Sequence, residues 1–119
     1  MHDAEARPSQ ISAVYWIEAA APGGLAPTPR AGYWRIHTTL DHVDKLWDTI
    51  KAATAEGKLG HKSKVSTAPL SDRTPDERVI HVRTYDSHDT ADIERVRAAL
   101  LELGMPDNMI YRTDQEDRQ

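Results

Sequence analysis

The sequence predicts an α+β domain in which an antiparallel β-sheet carries two helices packed on one face. Five short segments have the β-branched or aromatic content that favours strands, and two longer segments repeat apolar residues at helical spacing. The predicted order along the chain is β β α β β α β. An antiparallel sheet with both helices on the same side accounts for this order, because each helix follows a pair of strands.

Strands and loops alternate along the chain. Residues 19–31 contain three prolines and two glycines and predict a long loop, a kind of segment that is often functional in compact domains. Residues 68–76 contain two more prolines and predict a second loop. The predicted strands are Ile11–Glu18, Gly32–Thr38, Lys62–Thr67, Glu77–Tyr85 and Asn108–Arg112.

Two helices are predicted from their apolar stripes and their end signals. The first is Thr39–Glu56, capped by a threonine at its start. The second runs from a cap at Asp89 or Thr90 to about Leu103. The stripes consist of Val43, Leu46, Trp47 and Ile50 in the first helix and of Ile93, Val96, Leu100 and Leu103 in the second.

Length and composition fit one domain in a chain of 119 residues. Residues 1–10 are polar and predict a flexible N-terminus, residues 11–112 form the domain, and residues 113–119 form a polar tail. The absence of cysteine excludes disulfides and thiolate nucleophiles. The net charge of −4 argues against nucleic-acid binding, and no apolar run is long enough to cross a bilayer. We therefore expect a cytoplasmic protein that binds neither nucleic acid nor membrane.

The two faces of the predicted sheet differ in chemistry. Side chains alternate across a strand, so Trp34 and Ile36 share one face, as do Ile80 and Val82. We expect this apolar face to pack against the helix stripes, with Trp47 in the core. The other face is then cationic, aromatic and rich in hydrogen-bonding groups. Its members are Tyr33, Arg35 and His37 on one strand, Val79, His81, Arg83 and Tyr85 on another, and Lys62 and Lys64 on a third.

This second face has two interpretations. Exposed antiparallel faces are usually polar, and arginine, tyrosine and histidine alternating with apolar residues are ordinary for a solvated surface. In the other interpretation, Tyr33, Arg35, His37, Arg83 and Tyr85 line a concave site for an anion or a carbonyl group. The agreement in character between two strands favours this second interpretation.

The sequence contains no recognised pattern for a metal or a nucleotide. Its histidines lack a tight ligand spacing such as two histidines four residues apart on a helix. The glycine pair in the 19–31 loop lacks the lysine and hydroxyl residue of a phosphate-binding loop. We therefore expect neither a metal site nor a cofactor.

Three stretches carry a resemblance to a known family. They are GYWRIH (32–37), DxxWDTIKxATxxGxLGHKSKVST (44–67) and RVIHVRTYDSHDTADIERVRAALLELGM (78–105). The tryptophan-containing helix followed by Gly-Lys-Leu-Gly and Lys-Val-Ser resembles a family named from a protein expressed in basophilic leukaemia. That family has a fold similar to the cap-binding translation initiation factor, and the resemblance covers about residues 32–112.

The size, the lack of cysteine and the whole-chain layout look more closely like the stand-alone lysinoalanine synthases of cinnamycin and duramycin biosynthesis. This resemblance implies a substrate that is a ribosomal lanthipeptide, already dehydrated and bridged by thioether rings. The implied reaction adds the ε-amine of a C-terminal lysine to a dehydroalanine, without a cofactor. The implied assembly is a homodimer with the site near the subunit interface.

The chemistry of this reaction assigns roles to residues. The lysine amine must lose a proton, since its pKa is about 10.4 in water, and negative charge then develops on the dehydroalanine carbonyl oxygen. We expect arginines and tyrosines as donors to that oxygen and histidines as proton carriers. The predicted catalytic residues are His37, Arg83, Tyr85, His88 and Glu102, and the predicted substrate-binding residues are Tyr15, Trp16, Tyr33, Arg35, Lys62, Lys64 and His81. No buried carboxylate base is apparent, so we hypothesise that a carboxylate or hydroxyl of the peptide serves as the base.

Two other functions remain open. Arg35-Ile36-His37 resembles the Lys-x-His pair of phosphothreonine lyases, with arginine in place of lysine, and Lys64 would be their second lysine. A phospholyase is therefore one alternative. A binding module without chemistry, with a cap-like or peptide pocket built on Trp16 and Trp34, is the other.

Overall fold

The computed structural model describes Pro8 and residues 16–69 and 71–118, and it has the predicted α+β fold. Five strands form one antiparallel sheet in the order β1-β3-β4-β2-β5. The elements are β1 (Trp16–Ala20), β2 (Gly32–Thr39), α1 (Val43–Ala55), β3 (Lys62–Ser66), β4 (Glu77–Thr84), α2 (Thr90–Glu102), β5 (Ile110–Thr113) and α3 (Asp114–Asp117). Within the described residues, none of the helices has the length and apolar character needed to span a membrane.

The strands overlap the predicted segments and differ from them at their ends. The first predicted strand begins at Ile11, but residues 11–15 lie outside the described residues. At its other end β1 continues to Ala20, two residues into the predicted loop, because Ala19 and Ala20 pair with Ser63 and Lys62 of β3.

The prediction that α1 begins at Thr39 is wrong. β2 extends through Thr39, which pairs with Glu77 at the end of the β2–β4 ladder. A threonine whose backbone belongs to the sheet cannot also start the helix. The helix therefore begins at Val43, after His42, whose side chain makes no capping hydrogen bond.

Side-chain caps begin the other two helices. Asp89 caps α2 as predicted, accepting a hydrogen bond of 3.0 Å from the Asp92 amide. Residues 113–119, predicted only as a polar tail, contain the additional helix α3. There Thr113 and Glu116 form a capping box in which each side chain accepts from the other residue's backbone amide at 3.1 Å.

The helices α1 and α2 pack on the apolar face of the sheet. The strand residues in this core include those predicted, Trp34, Ile36, Ile80 and Val82. Trp47 is fully buried, and the Trp34 indole donates to the Ile93 carbonyl at 3.0 Å. This bond satisfies the indole N–H away from water. Because both longer helices lie on this side, the opposite surface of the sheet is left for a functional site; we call it the open face.

The loop between β1 and β2 is fixed to the turn that follows β4. The Arg30 guanidinium donates two hydrogen bonds to the Asp86 carboxylate, at 2.9 and 2.6 Å. These bonds lower the pKa of Asp86 to about 2. Backbone bonds reinforce the contact, because the Ser87 amide donates to the Arg30 carbonyl at 2.6 Å. The long loop predicted from its prolines is therefore tied down at its β2 end.

A glycine permits the close approach of β3 and β4. A Cβ atom on Gly60, just before β3, would lie 1.6 Å from the carbonyl oxygen of Arg83 in β4. No side chain fits at that separation, so glycine is required where the chain enters β3. The lysines of β3 then follow at fixed positions beside β4.

A buried hydroxyl pair joins α1 to β3. Thr54 and Ser63 are both inaccessible to solvent, and their hydroxyl oxygens are 2.7 Å apart. Because the Thr54 hydroxyl donates its proton to the Ile50 carbonyl at 2.7 Å, Ser63 is the donor between the two hydroxyls. The pair therefore holds β3 against the helix through a donor that has no access to water.

We expect Thr54→Val to lower the free energy of unfolding by about 1–3 kcal/mol, because it leaves the Ser63 hydroxyl buried without an acceptor. Ser63→Ala should cost less, since Thr54 keeps its bond to Ile50. The double variant should lose less than the sum of the two single losses. Denaturant unfolding of the four proteins measures these differences. Additive losses would show that the two hydroxyls do not interact, and a larger loss for Ser63→Ala than for Thr54→Val would contradict the assigned direction of donation.

Candidate functional site

The sheet register lines up ionisable side chains in two neighbouring rows across the open face. Side chains that are opposite in the register lie on the same face. In the first row His81 of β4 is opposite Arg35 of β2 on one side and Lys64 of β3 on the other. In the second row the members are Arg112, Tyr33, Arg83 and Lys62. The center of the open face is therefore rich in cationic side chains.

Aromatic contacts fix the ring of His81. Tyr33 stacks on it with ring centroids 4.0 Å apart and an interplanar angle of 17°, and the ring of Trp16 lies 5.0 Å away at a tilt of 47°. The Lys64 ammonium nitrogen lies 4.2 Å from the center of the Trp16 ring, a favourable cation–π distance. We call Trp16, Tyr33, Arg35, Lys64, His81 and Arg83 the open-face cluster.

The imidazole of His81 is buried without hydrogen bonds. The residue is 8% exposed, and neither ring nitrogen has a hydrogen-bond partner among the described residues. The buried Nε of Arg35, in the same row, also lacks a described partner. Leaving such a polar group unpaired costs about 1–3 kcal/mol. Buried polar groups without partners need an explanation, and the presence of two such residues in one row makes this part of the open face the candidate site.

Burial and neighbouring cations keep His81 neutral. Burial, followed by the charges of Lys64, Arg35 and Arg83, lowers the pKa of His81 to about 3. Burial and then the charge of Arg83 also lower the pKa of Lys64. The row thus combines a neutral imidazole with a lysine whose pKa is lowered.

Carboxylates of the C-terminal segment neutralise the second row. Asp114 accepts a hydrogen bond of 2.5 Å from Arg83. Asp117 accepts bonds from the Tyr33 hydroxyl at 2.7 Å and from Arg112 at 3.0 Å. Burial and the bond to Asp117 raise the pKa of Tyr33 to about 12. We predicted from the sequence that Arg83 and Tyr33 donate hydrogen bonds to the substrate. In the structure, some of these donors already bind carboxylates of the protein.

The cations of the first row form no ion pairs among the described residues. Arg35 has no described ion-pair or hydrogen-bond partner, and no carboxylate lies within ion-pair distance of Lys64. The carboxylate of Glu18 is opposite Lys64 in the register and acts on its charge, but its ion pair is with Lys62, at 3.5 Å. Two cations that flank a neutral imidazole without ion pairs form a site for an anion or for an oxygen that becomes negative during a reaction.

Most of the predicted binding residues meet at this site, and several predicted catalytic residues do not. Trp16, Tyr33, Arg35, Lys62, Lys64, His81 and Arg83 share the open face. Tyr15 lies outside the described residues. His37 is on the same face but exposed, and its Nδ1 lies 3.0 Å from the Glu77 carboxylate.

Tyr85, His88 and Glu102 lie apart from the cluster. β4 ends at Thr84, so strand alternation no longer directs Tyr85, whose hydroxyl instead donates to Asp89 at the start of α2. His88 is exposed in the turn before α2, and Glu102 is exposed near the end of that helix. The expectation that Tyr85 shares a face with Arg83 is therefore wrong.

The two tryptophans suggested for a binding module lie on opposite faces of the sheet. Trp34 belongs to the core beneath α2, whereas Trp16 covers His81 on the open face. The sheet separates the two side chains. They do not form the joint pocket considered from the sequence.

A cavity of about 260 Å³ lies beyond the edge of the sheet, between the 21–25 loop, the turn before β3 and the start of α2. Its polar side chains are largely satisfied within the protein. Arg95 donates to Asp92 at 2.9 Å and to the carbonyls of Lys58 and Leu59 at 3.2 and 3.1 Å. His61, in its wall, has a buried Nδ1 without a described partner. This cavity has fewer free groups than the open face and is the weaker candidate.

Two contributors to the site were missed from the sequence. Asp114 and Asp117 reach the open face because α3 turns back beside β2, where Tyr33 pairs with Arg112. The capping pattern Thr113-x-x-Glu116 was the available signal for this turn. Among the residues described by the structure, no three histidine or acidic side chains converge in a way that would hold a metal ion.

The fold and the site together define an α+β protein whose helices cover one side of an antiparallel sheet and whose other side presents a cationic and aromatic cluster. The chain belongs to the family described as Basophilic leukemia-expressed protein Bles03, whose sequence model matches residues 26–115. The matched range contains every member of the open-face cluster except Trp16. A search of curated proteins found no match. The family resemblance noted in the sequence is thus confirmed at the level of the family.

Acid should destabilise the protein through His81. The imidazole has a pKa of about 3 in the folded protein and about 6.5 when unfolded, so below pH 6.5 the unfolded chain binds a proton that the folded protein does not. The free energy of unfolding therefore falls by up to about 1.4 kcal/mol per pH unit between those values. Denaturant unfolding of the wild type and of His81→Gln at pH 7, 5 and 4 isolates this contribution. Parallel losses in the two proteins would show that His81 is protonated in the folded state.

Proposed function

We propose that the protein forms a lysinoalanine cross-link by adding a lysine ε-amine to a dehydroalanine within a thioether-bridged lanthipeptide. The observation that supports this proposal is the first row of the open face, where Arg35 and Lys64, neither of them in a described ion pair, lie on either side of the neutral His81. Such a row suits a substrate oxygen that gains negative charge during the reaction.

The reaction is an isomerisation of the peptide. The amine nitrogen forms a bond to the β-carbon of dehydroalanine, and the electron pair of the carbon–carbon double bond moves through the α-carbon onto the carbonyl oxygen. The nitrogen loses one proton and the α-carbon gains one, so the mass of the peptide does not change. The protein must favour the neutral amine, orient it towards the β-carbon and stabilise the transient oxyanion.

A cationic site promotes the first of these steps. A bound ammonium group close to Arg35, Lys64 and Arg83 loses its proton more readily, because like charges disfavour the charged form. The same effect is seen at Lys64, because burial and the charge of Arg83 lower its pKa. The substrate lysine would experience the same surroundings.

The base is best supplied by the substrate. Each described carboxylate on the open face already has a partner. The pairs are Glu18 with Lys62, Glu77 with His37, Asp114 with Arg83, and Asp117 with Arg112. Although burial acts to raise it, hydrogen bonds from Tyr33 and Arg112 lower the pKa of Asp117, which makes this carboxylate a weaker base. A carboxylate or hydroxyl of the peptide therefore remains our hypothesis for the proton acceptor. The homodimer implied by the resemblance also stays a prediction, which sedimentation equilibrium tests.

The direct test mixes the protein with a thioether-bridged peptide that contains one dehydroalanine and a C-terminal lysine. We expect the mass to stay constant while the dehydroalanine loses its reactivity towards an added thiol. Arg35→Met should slow this loss by about 10²-fold or more, the usual effect of removing an oxyanion donor. Lys45→Met, which removes an exposed cation from α1 on the other side of the sheet, is the matched control. Unchanged thiol reactivity with the wild-type protein would refute the proposed function.

A phospholyase is the second candidate, and the lowered pKa of Lys64 is the observation that favours it. Removal of an α-proton from phosphothreonine requires a neutral lysine, and Arg35 across the row would bind the phosphate. His37, the third group of the resemblance, is held by Glu77 towards the end of β2.

Lys64→Arg separates the two candidates. Arginine preserves the positive charge but does not act as a base at neutral pH, so elimination of phosphate should disappear. Cross-linking should remain measurable, since it needs only the charge at this position. A lyase would release phosphate from a phosphothreonine peptide and leave a double bond. If the wild type did this and Lys64→Arg did not, the lyase activity would replace lysinoalanine formation as the proposed function.

A further inference from the structure

We propose that His81 is a further catalytic residue, which acts as a neutral hydrogen-bond donor to the substrate carbonyl oxygen between Arg35 and Lys64 and does not carry protons. The inference rests on the proposed function and deepens it. The sequence placed His81 among the binding residues and assigned proton transfer to other histidines. The geometry of the open face gives it a more specific role.

The position of the ring supports this role. His81 lies on β4, the central strand, and the register places Arg35 and Lys64 directly beside it on the two neighbouring strands. Tyr33 stacks against one side of the ring at 4.0 Å, and Trp16 approaches at 5.0 Å. The stack on Tyr33 keeps a fixed direction for the N–H group of His81, as a preorganised donor requires.

The hydrogen-bonding capacity of the ring is unused. A neutral imidazole has one N–H donor and one acceptor nitrogen, and neither nitrogen of His81 has a partner among the described residues. Tyr33 and Arg83, by contrast, already donate to Asp117 and Asp114. Arg35, Lys64 and His81, which lie side by side in one row, therefore have donors without described partners.

The surroundings favour a neutral donor over an acid. The charged groups that act on the ring are Lys64 of β3, Arg35 of β2, Arg83 of β4 and Asp117 of α3, and three of these four are cations. Burial and these cations keep the pKa of His81 far below neutrality. An imidazole that stays neutral polarises a carbonyl without giving up its proton, a role known for histidine in enzymes that stabilise enolates.

Access to the ring requires a movement of Trp16. The two rings are in contact, and Trp16 is half-buried, whereas Trp34 and Trp47 belong to the core on the other side of the sheet. A peptide that reaches His81 displaces the Trp16 ring. Peptide binding should therefore change the tryptophan fluorescence of the wild type, and this change should disappear in Trp16→Phe.

The decisive test compares His81→Gln and His81→Leu in the thiol-reactivity assay. Glutamine keeps an N–H donor and leucine has none, while both remove the aromatic stack. We expect kcat to fall by about 10²–10³-fold in His81→Leu, the usual effect of losing one oxyanion donor, and to be at least tenfold higher in His81→Gln than in His81→Leu. Between pH 5 and 7 the kcat of the wild type and the kcat of His81→Gln should depend on pH in the same way, because His81 does not change its protonation state in this range.

A measurement on the wild type makes the test independent of variant folding. Nitrogen chemical shifts of the His81 ring at pH 6 should show one protonated and one unprotonated nitrogen, and the protonated one should shift when the peptide binds. Equal activity of the two variants, or a doubly protonated ring at pH 6, would refute the proposed role of His81 and leave the proposed function intact. Absence of cross-linking by the wild type would overturn the proposed function together with this inference.

Discussion

The pairing of β4 with β3 on one side and β2 on the other is the constraint on which the open face depends. All eight residues of β4 pair with β2, and Ile80–Arg83 also pair with β3. The alternation of the strand then places Ile80 and Val82 in the core and His81 and Arg83 on the open face. A shift of one residue would exchange these sets, burying an arginine beneath the helices. Core packing and site geometry are thus consequences of the same register.

Charge is distributed unevenly over the open face because the C-terminal segment covers only part of it. The capping box turns the chain into α3 directly after β5, which brings Asp114 and Asp117 to the arginines and tyrosine of the second row. In the first row, Glu18 is opposite Lys64, but its ion pair is with Lys62 of the second row. The result is a surface that is stabilised by internal ion pairs on one side and has cations without described ion pairs on the other, where a ligand can bind to them.

In the proposed reaction, the protein and the substrate supply different catalytic groups. The protein supplies cations, a fixed imidazole and a partly buried surface, which favour a neutral amine and a negative oxygen. It offers no unpaired carboxylate on the described open face. A reaction whose base comes from the peptide fits this division, because holding the two reacting groups together can itself contribute roughly 7–11 kcal/mol.

The fold class, the apolar core and the two-faced sheet could be predicted from the sequence, because they follow from local periodicity. Trp34 and Val82 alternate with polar neighbours, and Trp47 lies on a helical stripe, so their burial follows from spacing alone. The predicted start of α1 was wrong because the pairing of Thr39 with Glu77 is a contact between distant residues. Similarly, Tyr85 lies outside the cluster because β4 ends one residue earlier. The ion pairs of Asp114 and Asp117 on the open face, and the row formed by Arg35, His81 and Lys64, depend on the folded arrangement. Strand order and register are set by contacts between segments far apart in the chain, and local patterns carry no information about them.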